Sequence, residues 1–179
     1  MANMGVSQMT SGLANFCSQN KAVGEYKRIV KGHLVVLIYC LITNAVFMAA
    51  FISAPEFFTR LFVDSSKLTP DALAYSCNFI VIVTSFLPVV CVKIVCDGAV
   101  RGCGGNLGFT ISTFTDLILR VAFVYILTGP MGFSGVSWAW AIGWSVSMFI
   151  AAGFYYAIPC LRSIFFKNHK PKQTKPDLK

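Results

Sequence analysis

The 179-residue chain is 56% hydrophobic and 12% charged, where a soluble domain carries about 25% charged residues. Its net charge of +8 is spread through the connections between apolar runs rather than gathered in one patch, which argues against nucleic-acid binding. The length allows one membrane bundle and leaves no room for a soluble catalytic domain beside it.

In chain order, residues 1–20 mix small and polar residues with Met4, Val6, Met9, Leu13 and Phe16 at helical spacing. They lack the basic, apolar and cleavage regions of a signal peptide. A helix over about 3–20 is expected, the last part of a span whose beginning lies upstream. Four long apolar runs follow, at 34–53, 77–97, 107–127 and 135–158. Each meets the roughly 20 residues that a helix rising about 1.5 Å per residue needs to cross a hydrocarbon core of about 30 Å. None alternates apolar with polar residues as a barrel strand must. The predicted fold class is all-α: a polytopic membrane helix bundle over 1–162, with four full transmembrane helices and an N-terminal partial helix. A Lys-rich tail over 163–179, with Pro171 and Pro176, is predicted to be disordered, cytoplasmic and in reach of anionic membrane lipid.

Basic residues fix an orientation. Lys21, Lys27, Arg28 and Lys31 precede the first full span, Arg101 lies between the second and third, and the tail follows the fourth. The connection 54–74 sets Arg60 and Lys67 against Glu56, Asp64 and Asp71, and 129–133 is uncharged. The positive-inside rule puts the first group in the cytoplasm and the second outside. The seven cysteines form no paired C-x-x-C spacing, and His33 and His169 are far apart and terminal to their predicted helices. No cofactor or metal site is predicted, and the cysteines are expected to pack as small apolar residues.

Lys93, Asp97 and Arg101 are spaced by four and share a face of the second span, while Asp116 and Arg120 stand one turn apart in the third. Lys93 is near enough to the cytoplasmic interface to extend toward the headgroups. Counted inward from Gly108, Asp116 lies about 12 Å deep and Arg120 about 18 Å, near the midplane. Thr113, Asp116 and Arg120 follow i, i+3, i+7, a stripe expected to face protein or a wet cavity. Two uses are open: neutralised ion pairs that hold helices in register, or groups that couple a proton or cation and line a substrate path. Gly98-x-x-x-Gly102 and Gly104-x-x-x-Gly108 have the spacing that lets helices approach closely. Pro88 removes a backbone donor and is expected to kink the second span, as a packed bend or a hinge. Trp138, Trp140 and Trp144 are read as anchors at the outer interface.

The segments Phe16-Cys-Ser-Gln-Asn-Lys-Ala-Val-Gly-Glu-Tyr-Lys-Arg-Ile29, Asp97-Gly-Ala-Val-Arg-Gly-Cys-Gly104 and Gly132-Phe-Ser-Gly-Val-Ser-Trp138, with Gly143-Trp144 after them, resemble the multidrug and toxic compound extrusion (MATE) transporters in content, order and separation. The resemblance implies two six-helix lobes around a cavity that opens alternately to either side of a plasma membrane, a bacterial inner membrane by expectation. On that mapping the chain is a fragment of the second lobe, about the eighth to twelfth helices, inactive alone and in need of the missing helices or a second chain. It also implies export of organic cations or amphipathic drugs in exchange for sodium ions or protons. Some members carry an acid eleven residues before the Arg-Gly pair; here that position is Val90, which leaves Asp97 and Asp116 as coupling candidates. The alternative is a four-span accessory or scaffold protein packed on another membrane subunit. No enzyme is expected, because no His lies mid-span and the acids are not paired.

Overall fold

Pro88 organises the middle of the chain. In the computed structural model, which describes residues 2–63, 69–158 and 161, the second span is two helices, α4 (Pro70–Ser85) and α5 (Leu87–Gly102), bent by 47° at Phe86. A proline clashes with the carbonyl four residues earlier and supplies no N–H to it, so the break falls just before Pro88, at the second residue of α5. The other helices are α1 (Ala2–Ala22), α2 (Tyr26–Ser53), α3 (Pro55–Phe62), α6 (Asn106–Met131) and α7 (Ser134–Ala157), with no strand among the described residues. The helices α2, α6 and α7 are each long and apolar enough to span a membrane, and the bent α4–α5 pair passes the same test when its two helices are taken together as one span. This is the all-helical multi-pass bundle expected. The tail 163–179, His169 and Cys160 lie outside the described residues.

Two segments differ from expectation. The first span begins at Tyr26 rather than 34, so His33 lies inside α2, buried and stacked on Tyr155 of α7 at 4.3 Å. The connection expected at 54–74 contains α3 and the first turn of α4. Pro55 starts α3, Glu56 and Arg60 sit at the ends whose dipole charge they complement, and Thr59 turns inward toward Cys77 Sγ at 3.8 Å. Phe57, Leu61 and Phe62 stay exposed, as on a helix lying in a membrane interface.

Small residues set the packing. On α7, Gly135, Ala139, Gly143, Ser147, Ala151 and Tyr155 recur every four positions and are all buried. The buried residues of α6 are Gly108, Ser112 and Asp116, again every four. These ridges bring the antiparallel helices together as the most extensive helix pair of the bundle. The floor is α5, which touches α1, α2, α6 and α7 and buries Val90, Cys91, Val95, Cys96, Ala99 and Val100. Where α1 crosses α5, a Cβ on Gly102 would stand 2.7 Å from Ala14 Cα and 2.8 Å from Cys17 Cβ, and one on Gly98 would overlap Thr10. Gly98 and Gly102 thus both lie at the close approach of α1 to α5.

The bundle ends sort by charge. Lys21 Nζ donates to the Cys103 carbonyl at 2.7 Å, joining the α1–α2 and α5–α6 turns. That turn is closed by Gly104 at φ +80°, a conformation that favours glycine. At the other end Phe133 meets Tyr75, and Trp138 meets Phe86.

Candidate functional site

Charges buried in an apolar bundle are the features that need a reason, since each costs about 2.5–3.5 kcal/mol to place at the centre of a membrane helix. Two i,i+4 ion pairs hold four of them. Lys93 Nζ donates to Asp97 Oδ2 at 2.9 Å, both residues buried, on α5. Arg120 donates to Asp116 Oδ2 at 2.7 Å on α6. The helical spacing anticipated both contacts. Across the helix pair, the hydroxyl of Ser112 on α6 and the Oδ1 of Asp97 are both buried without a hydrogen-bond partner.

The first pair lines a groove of about 310 Å³ between α1 and α6, with α5 as its floor. Ser7, Thr10 and Ser11 come from α1, Lys93, Asp97 and Arg101 from α5, and Phe109 and Thr113 from α6. Arg101 lies over the Phe109 ring at 5.0 Å. A second depression, about 340 Å³, continues from Ser11 and Arg101 along Asn15 and Ser18 toward the basic end of the bundle. Two cations and one acid make the groove positive when Asp97 is ionised. An added proton or cation on Asp97 would make it more so.

The second pair is built differently. Its guanidinium lies over Trp140 of α7 at 4.2 Å and near Trp144 at 5.8 Å. Asp116 is buried opposite Gly143, where a Cβ would stand 3.3 Å from its Oδ1. Beside it, Thr113, Phe114, Asp116, Leu117 and Arg120 line a depression of about 300 Å³.

The tryptophans correct one expectation, while the α6 stripe keeps its place: Thr113, Asp116 and Arg120 line one depression, beside the buried Ser112, and the Thr113 hydroxyl donates to the Phe109 carbonyl at 2.9 Å. Thr113 lies on the rim shared by the groove and the depression at Asp116. Of the three tryptophans only Trp138 stays exposed at the outer end; Trp144 is buried and Trp140 half-buried against Arg120. Sequence reasoning missed that role, although Trp140 and Trp144 carry the same four-residue spacing as Asp116 and Arg120.

The MatE family model matches residues 3–126, a stretch that runs from α1 through most of α6 and includes the groove and both ion pairs. The chain belongs to the MatE family. MatE proteins are efflux transporters rather than enzymes, which agrees with a multi-pass helical bundle whose polar groups line grooves. Two of the three segments that suggested the family, 16–29 and 97–104, fall inside the MatE match, and α7 lies beyond it. No curated protein and no solved structure matches the chain.

Proposed function

We propose that the chain forms one wall of the translocation cavity of a cation-coupled multidrug efflux antiporter, contributing about the eighth to twelfth helices of a two-lobed molecule. The observation that carries this is the Lys93–Asp97 pair, buried in an apolar bundle yet lining a polar groove. Apolar residues of similar size would fill that position at less cost, so the charges are kept for what they do.

Asp97 is the coupling group and Lys93 its tethered counter-ion. When a proton or sodium ion takes Asp97, Lys93 is released toward the groove, the groove gains positive charge and a cationic substrate is expelled. When Asp97 is vacated, Lys93 returns, the groove loses one positive charge and its repulsion of a substrate cation falls. Two ligands competing for one field is what exchange requires, because each must bind differently to the two states. Pro88 at the 47° bend is the candidate hinge, the Gly98 and Gly102 crossing the rigid joint, and Asp116 a second acid deeper in the span.

The polar outer face of α1, with Ser7, Ser11, Asn15 and Ser18, supports a protein neighbour there rather than lipid. Further helices of the same transporter, or a second chain, are the proposed occupants, while the exposed apolar face of α2 (Leu34, Val35, Ile38, Ile42, Val46) faces lipid. The charge bias supports a C-terminus in the cytoplasm, and the plasma membrane is the proposed location. Efflux of a fluorescent organic cation, measured with imposed sodium and proton gradients, tests the proposal: Asp97→Asn abolishes gradient-driven export if Asp97 couples. Specific capture of a membrane subunit with no gradient-driven export favours a scaffold instead.

A further inference from the structure

We propose that Asp116, Trp140 and Trp144 form a subsite for the cationic group of an organic cation, and that Arg120 occupies this subsite as a built-in ligand; the physiological identity of that cation rests on the transporter reading above. The two indoles stand 5.3 Å apart at 87°, forming an aromatic corner, and the Asp116 carboxylate pairs with the guanidinium that lies over it. A carboxylate beside two tryptophan faces suits a weakly hydrated cation, one whose charge is delocalised or shielded by alkyl groups, over a small hydrated ion.

Arg120 fills this corner incompletely. Its Nε and the Oδ1 of Asp116 are buried without a hydrogen-bond partner, where a clamp built only for stability would satisfy both. Gly143 lets α7 approach Oδ1 closely, since a Cβ there would stand 3.3 Å from it. The Arg120 side chain is 23% exposed, toward the depression of about 300 Å³ lined by Thr113, Phe114 and Leu117. That depression gives an incoming cation a way in and the displaced guanidinium a place to go. The exchange is one positive charge for another, so Asp116 is never left buried alone.

The purified chain in detergent tests this, because two of its three tryptophans line the corner. Intrinsic fluorescence is titrated with tetramethylammonium chloride against sodium chloride at equal ionic strength. Saturable quenching by tetramethylammonium alone is expected for the wild type, about tenfold tighter in Arg120→Ala, where the built-in competitor is gone. It is lost in Arg120→Ala/Asp116→Asn and kept in Trp138→Phe. If Arg120→Ala does not yield folded protein, Arg120→Gln keeps an aliphatic stem and a hydrogen-bonding end and removes the charge. No saturable quenching in a folded Arg120 variant overturns the proposal. Binding without gradient-driven efflux removes the transport reading and leaves the subsite; Asp97-dependent efflux without binding removes the subsite alone.

Discussion

Gly102 of α5 lies so close to Ala14 of α1 that a Cβ added to it would stand 2.7 Å from the Ala14 Cα. The obstacle is backbone, which cannot rotate away as a side chain can, so any larger residue must push the two helices apart. Gly102→Val is therefore expected to destabilise the bundle by about 1–3 kcal/mol through overpacking. Gly12, whose added Cβ meets nothing within 4 Å, is the control: Gly12→Ala is neutral or stabilising by up to about 1 kcal/mol. Thermal melting of the two variants in detergent checks the contrast.

Removing Pro88 should straighten the second span. Its arms α4 and α5 have 16 residues each, about 24 Å at the helical rise, and closing the 47° bend lengthens the end-to-end distance by about 4 Å. Pulsed dipolar distances between probes at the two ends, compared between wild type and Pro88→Ala, measure this. An unchanged distance means that packing, not Pro88, holds the bend.

The Lys93–Asp97 pair separates stability from coupling. Lys93→Met alone strands a buried carboxylate and is expected to cost about 3–5 kcal/mol, as breaking a buried pair does. Lys93→Met/Asp97→Leu removes both charges and is expected to recover most of that loss while remaining inactive in transport. Melting temperatures of the single and double variants, beside efflux rates, complete the cycle.

The order of bundle ends predicts topology. Alkaline phosphatase fused after Gly132 is expected to be active, and fused after Gly105 inactive, because the charge bias puts the first outside and the second in the cytoplasm. The reverse pattern would invert the orientation.

Much of the fold was legible because lipid is a demanding solvent. A run of about 20 apolar residues has few uses besides spanning, and a mid-span proline must disturb the hydrogen-bond ladder. The ion pairs were legible for the same reason, since four-residue spacing puts Lys93 on Asp97 and Arg120 on Asp116 whatever surrounds them. What escaped were choices among faces. Thr113 and Ser112 differ by about 100° around α6, and only the fit to α7 decides that Ser112 points inward. Trp140 and Trp144 satisfy an interface rule that Arg120 overrides from a neighbouring helix. The helix α3 was hidden because its charges, Glu56 and Arg60, read as a loop until Pro55 and the inward turn of Thr59 are considered together.

Efflux is the most direct test of the central claim that Asp97 couples cation entry to substrate exit. Cells lacking related transporters, expressing the chain together with the helices proposed to complete its cavity, are loaded with a fluorescent organic cation and given a sodium or proton gradient. The account predicts gradient-driven efflux for the wild type and none for Asp97→Asn at equal expression. Wild-type efflux that keeps its gradient dependence in Asp97→Asn would contradict it.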